Sequence, residues 1–127
     1  MMQLVQYDNR PEKLQANGDG SFRYRWNIHA ITVEQPDGES REQWQCNEVI
    51  VYAPITSNKI LQAAITAMCD RDREAKLIND FNSISLGLVD VNSDDATSKS
   101  KAYSDFLLER AIIKAQVDAD CKELNVQ

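Results

Sequence analysis

The sequence predicts an α+β fold, with an antiparallel hairpin or small sheet in the first half and about three helices in the second. Three observations carry this. Phe22, Tyr24, Trp26 and Ile28 alternate with Arg23, Arg25, Asn27 and His29, the period of a strand with one buried face. From Ile60 onward the apolar residues recur at helical spacing instead. Pro54 stands between the two patterns and ends the last strand.

Gln3 to Tyr7 reads as a short strand, and Asp8 to Gly20 as a connection, because Asp8-Asn9-Arg10-Pro11 favours a turn and Asn17-Gly18-Asp19-Gly20 is dense in residues that tolerate positive φ. The main strand starts at Phe22. Beyond Ala30 its apolar phase passes to Ile31 and Val33, which predicts a bulge near Ala30, since one extra residue moves later side chains to the opposite face. Pro36-Asp37-Gly38 supplies a turn, Trp44 to Tyr52 the returning strand, and Glu34 to Arg41 an irregular loop between them.

Thr56 or Ser57 caps a first helix over Ser57 to Cys69, in which Ile60, Leu61, Ala64, Ile65, Met68 and Cys69 recur at helical spacing. Asp70-Arg71-Asp72 interrupts that pattern and caps a second helix over about Asp72 to Leu86, where Leu77, Ile78, Phe81, Ile84 and the following Leu88 mark the apolar side. Gly87 suits a left-handed C-terminal position. After the polar stretch Val89 to Ser100, whose acidic end favours a helix start, a third helix runs from about Asp95 to Leu124, roughly 45 Å long. Tyr103, Phe106, Leu107, Ile113, Val117, Cys121 and Leu124 share one face. Leu108, Ile112, Ala115 and Ala119 form a second strip nearly opposite. A helix apolar on two sides needs two partners, either the rest of the domain plus a neighbouring subunit or two layers of its own chain; in the first case this strip is the candidate surface for a subunit or partner.

At 127 residues the chain has the size of one domain, residues 1–54 forming its β-rich part and 55–127 its helical part. With 43% hydrophobic and 27% charged residues it is long and apolar enough to build a core without metal or disulfide staples. The net charge is −6, shared evenly between the halves on either side of Pro54, with no basic block to release counterions from nucleic acid or to hold an anionic membrane. No apolar run approaches the ~20 residues that span a bilayer, and the first residues lack the pattern of a secretory signal. The expected location is the cytoplasm of a bacterial host, or a virion.

The chemistry-bearing residues make few patterns. Cys46, Cys69 and Cys121 are widely spaced and odd in number, which favours reduced, buried thiols over a disulfide framework or a zinc ribbon. Gln15 to Gly20 resembles part of a calcium loop, but aligning Gly20 to the turn position puts Gln15 and Trp26 where acids belong. His29 and Cys46 face each other if the hairpin is regular, a dyad geometry without a third ligand. Arg23 and Arg25 interleave with Tyr24 and Trp26 as in single-strand nucleic-acid binders, yet alternation sends the aromatics to the core and the arginines to solvent. Acidic pairs such as Asp94-Asp95, or Asp118 and Asp120, are candidates for acid–base work only if buried. No glycine-rich phosphate loop or nucleophile elbow occurs, and no cofactor, metal or catalytic residue is expected.

The stretches Val51-Tyr52-Ala53-Pro54-Ile55-Thr56-Ser57-Asn58-Lys59-Ile60, Glu74-Ala75-Lys76-Leu77-Ile78-Asn79-Asp80-Phe81-Asn82 and Ala102-Tyr103-Ser104-Asp105-Phe106-Leu107-Leu108-Glu109-Arg110 together resemble small uncharacterised proteins of bacterial prophages associated with tail and tail-fibre regions. The likeness covers about residues 48–124 and transfers no catalytic residue. It implies a non-enzymatic accessory or virion-associated role, through protein contacts and in tail assembly. Two alternatives stand beside it: a small enzyme or ligand-binding domain with a cleft between hairpin and helices, near His29, and a nucleic-acid-binding regulator.

Overall fold

A computed structural model describes residues 4–127. In chain order the elements are β1 (Leu4–Tyr7), β2 (Leu14–Ala16), β3 (Ser21–Glu34), β4 (Ser40–Tyr52), α1 (Ser57–Met68), α2 (Arg71–Ser85) and α3 (Asp94–Glu123). The fold is α+β: one antiparallel sheet of order β1-β4-β3-β2 followed by three helices. Gln3, expected in the first strand, lies outside the described residues.

The small sheet expected from sequence contains one strand that the sequence reading did not place. β2 lies inside the stretch read as a connection and pairs its three residues with Phe22 to Tyr24. Three residues are too few for alternation to show. The hairpin is also longer: β4 begins at Ser40, and only Gln35 to Glu39 turn at its tip, where Gly38 has φ 84. The polar run Ser40 to Gln43 reads as loop in sequence because this end of the hairpin extends past β1 and β2 and is wet on both faces.

The bulge exists but sits earlier than Ala30. Trp26 pairs with Asn47 and His29 with Gln45, so Asn27 and Ile28 together oppose Cys46. Asn27 takes a left-handed φ of 56, a conformation that Asn tolerates better than most residues. The bulge keeps His29, Ile31 and Val33 on the face of Tyr24 and Trp26 and moves Ile28 to the other.

The helices gather on the Tyr24 and Trp26 face. Thr56 caps α1 by accepting the Lys59 amide, Asp70 caps α2 through the Arg73 amide, and Ser93 caps α3 through the Ala96 amide. The core joins Tyr24, Trp26 and Val51 of the sheet to Ile60, Ala64, Ile65 and Met68 of α1 and to Phe106, Ile113, Val117 and Cys121 of α3. Gly87 has φ 77 and ends α2, whose Ile84 is buried and whose Leu77 packs against the core. Leu88, expected on the apolar side of that helix, falls beyond Gly87 and is exposed. The Ser57 amide donates to the Gln127 carbonyl, so the last residue meets the start of α1.

Candidate functional site

Helix α3 is apolar on two sides and the fold covers only one. Phe106, Ile113, Val117 and Cys121 are buried against sheet and α1, while the Tyr103 ring lies 4.6 Å from that of Phe81 on α2. Leu107, grouped with this face from sequence, is exposed; at 3.6 residues per turn it stands well to the side of the direction shared by Phe106, Ile113 and Val117. The second strip, Leu108, Ile112, Ala115 and Ala119, lies at the surface along its whole length; Leu108 is 63% and Ile112 70% exposed.

Next to Ile112 the surface dips into a groove of about 350 Å³ between the β-bulge, the end of α1 and the middle of α3. Its floor is apolar, from Trp26, Met68 and Ile113, and its polar lining comes from Asn27, Asn47, Glu109 and Gln116. The bulge makes this groove by turning Asn27 out of the strand, where its Nδ2 reaches Asn47 Oδ1 at 3.4 Å. Asn47 is only 4% exposed. Its Nδ2 donates to no group among the described residues, although the atom is open enough not to be sealed away from solvent. This groove lies between the hairpin and the helices, and His29 is not part of it.

Two further polar clusters are built into the fold, and sequence patterning pointed away from both. Arg25, expected to face solvent, is 1% exposed. It does lie on the face away from the helices, but the segment from Asp8 to Lys13 folds over it. Its Nε donates to Glu48 Oε1 at 2.8 Å, Nη1 to the Glu12 carbonyl at 3.1 Å, and Nη2 to the Tyr7 hydroxyl at 3.0 Å and Gln15 Oε1 at 2.8 Å. Burial works against the Glu48 charge, but the Tyr7 hydroxyl and the Arg25 guanidinium outweigh it and hold this carboxyl below its usual range.

The second cluster centres on Asp120, which is 1% exposed. It accepts from the Tyr24 hydroxyl at 2.6 Å and Gln116 Nε2 at 3.0 Å, and Lys13 Nζ lies 3.1 Å from it. Burial, and then the bond to Asp120, push the Tyr24 phenol far above its ordinary value. Asp118, paired with Asp120 in the sequence reading, instead faces solvent and meets Lys114 at 2.8 Å. The first cluster ties Tyr7 of β1, Gln15 of β2 and Glu48 of β4 to β3, and the second ties Tyr24 of β3 and Lys13 to α3. Asp94 and Asp95 are exposed in the first turn of α3, where carboxylates suit the helix dipole.

The proposed His29 and Cys46 pairing does not form. Because of the bulge, His29 opposes Gln45, with Nε2 3.2 Å from Gln45 Oε1 and Nδ1 2.8 Å from the Asn27 carbonyl, while Cys46 points to the other side of the sheet. Cys46, Cys69 and Cys121 are buried free thiols whose pKa values burial pushes up, so each is a poor nucleophile at neutral pH. Tyr24 and Trp26 stack on each other at 5.5 Å in the core, and only the edge of Trp26 reaches the groove. In the glycine-rich turn, Asp19 Oδ1 accepts from the Ser21 amide and hydroxyl and so closes the turn itself. Among the described residues no three His, Cys, Asp or Glu side chains converge as a metal would require.

Trp26 and Asn47 escaped sequence reasoning as groove residues, but one signal was present. Asn47, Val49 and Val51 share a strand face, so an asparagine stands at a core-phase position.

The architecture thus defines a sheet-and-helix domain with an unpaired apolar helix face and an adjoining polar-lined groove. No family model, curated protein or solved structure matches the chain. Among the described residues no helix is long and apolar enough to cross a membrane.

Proposed function

We propose that this chain is a non-enzymatic accessory protein that works by packing against another protein surface, with the outer face of α3 as the contact. The observation that carries the reading is the strip Leu108, Ile112, Ala115 and Ala119, which the fold leaves in water. Withdrawing a side chain such as Leu108 or Ile112 from water is worth about 1.5–3 kcal/mol, a gain that only a second surface can collect here. A contiguous exposed apolar area is a common mark of an interaction surface. The setting, phage tail assembly or a minor place in the virion, rests on the resemblance of residues 48–124 to prophage proteins.

Light scattering on the wild type and on Leu108→Glu, with pull-downs from a phage-induced lysate, tests this. The wild type associates with itself or captures a partner, and the charged variant does neither. A strict monomer in both forms with nothing captured by the wild type refutes the reading.

A further inference from the structure

We propose that the groove beside α3 is an anchor pocket for a phenol group, the side chain of a tyrosine on the protein that packs over Leu108 and Ile112; the inference rests on the docking role above. Four observations lead there. The groove, at about 350 Å³, lies in the range of ordinary ligand pockets, and Trp26, Met68 and Ile113 give it a floor suited to a flat ring.

The second observation is the Asn47 amide, nine-tenths buried yet donating through Nδ2 to no described residue. A buried donor left unmade costs about 1–3 kcal/mol, so an occupant that displaces water from it must bring an acceptor. If the amide is drawn the other way round, the spare atom is an acceptor instead. A hydroxyl satisfies either orientation; a carbonyl or an ammonium satisfies only one.

Third, the opposite wall offers acceptors for the hydroxyl proton. Glu109 makes no ion pair among the described residues, and Gln116 spends its Nε2 on Asp120, leaving Oε1. No Lys, Arg or His lines the groove, so an anionic occupant such as a phosphorylated tyrosine is disfavoured. Fourth, Ile112 belongs both to the groove rim and to the exposed strip, so a partner covering the strip lies over the groove mouth. Buried aromatic anchors with a polar tip are where interface energy concentrates.

A two-dimensional NMR titration with N-acetyl-tyrosinamide, N-acetyl-phenylalaninamide and the O-phosphorylated tyrosinamide tests this, read at the Trp26 indole N–H and the Asn47 side-chain amide. The tyrosine probe shifts both signals and binds about tenfold more tightly than the phenylalanine probe, the effect of one satisfied hydrogen bond. The phosphorylated probe leaves both signals in place. Asn47→Leu brings the two affinities together, and so does Glu109→Ala, whose exposed position on α3 keeps the fold out of the question. Equal binding of the two unphosphorylated probes to the wild type, or shifts confined to other residues, overturns the pocket. Tighter binding of free p-cresol than of N-acetyl-tyrosinamide overturns the assignment to a partner side chain. Leu108→Glu lies outside the groove and keeps the tyrosine preference. An association lost in that variant while the wild type shows no tyrosine preference refutes the anchor and spares the docking role. The reverse pattern refutes the docking role, and with it the assignment of the phenol to a partner packed over the strip, and leaves the phenol pocket itself.

Discussion

Replacing Arg25 by alanine separates a structural arginine from a surface one. The substitution removes four hydrogen bonds of 2.8 to 3.1 Å and leaves the largely enclosed Glu48 beside Tyr7 with its cation gone. It also strips donors from the Glu12 carbonyl and from Gln15. Breaking a buried pair in this way costs about 3–5 kcal/mol, a large part of the roughly 5–15 kcal/mol by which a domain is stable. For 127 residues the unfolding entropy converts that loss into a fall in Tm of roughly 10–20 °C.

The pH dependence gives a second handle on the same pair. Glu48 has a folded pKa below its unfolded value, so its stabilisation is present above about pH 4.3 and disappears as pH falls through the folded value. Urea unfolding of wild type and Arg25→Ala therefore shows a wide gap at pH 7 that narrows toward pH 3. The apolar double variant Arg25→Met with Glu48→Leu recovers most of the loss, because neither charge is then stranded. A loss under about 1 kcal/mol at pH 7, or a gap that does not change with pH, refutes the argument and places the guanidinium in water.

Ile60→Ala, at a position with no exposed surface on α1, lowers stability by about 2–5 kcal/mol in denaturant unfolding. Thr56→Ala loses the cap on the Lys59 amide and costs about 1 kcal/mol by the same measurement. Asn27→Val, forced to a φ of 56, destabilises by about 1–2 kcal/mol, whereas Asn27→Gly is close to neutral; calorimetry of the pair checks that the bulge is strained for branched residues. In alkali, Tyr24 and Lys13 both have raised folded pKa values, so their contribution is complete below about pH 10 and declines as the unfolded chain begins to lose protons. Tyr24→Phe flattens that alkaline limb of the stability curve.

Much of the fold was legible because its causes are local. The alternation from Phe22 to Trp26 and the spacing from Ile60 to Met68 report which side of an element meets a core, and the caps Thr56, Asp70 and Ser93 stand where side-chain oxygens reach the first free amides. The strip Leu108, Ile112, Ala115 and Ala119 was visible for the same reason, as a periodicity on one helix.

What periodicity does not carry is which surface covers which. Alternation placed Arg25 on the face away from the core, and correctly; only the path of the Asp8 to Lys13 segment buried it. A shift of the bulge from Ala30 to Asn27 undid the His29 and Cys46 pairing and opened the groove that Asn47 lines, because register depends on partners far away in the chain. Asp120 resembles any surface acid until Lys13 and Tyr24 arrive beside it. The sequence alone determined the elements, their order and their apolar faces, since these follow from neighbours within one or two turns. Tertiary structure alone decided which polar groups were enclosed and which apolar face was left open, since both depend on segments that are not neighbours along the chain.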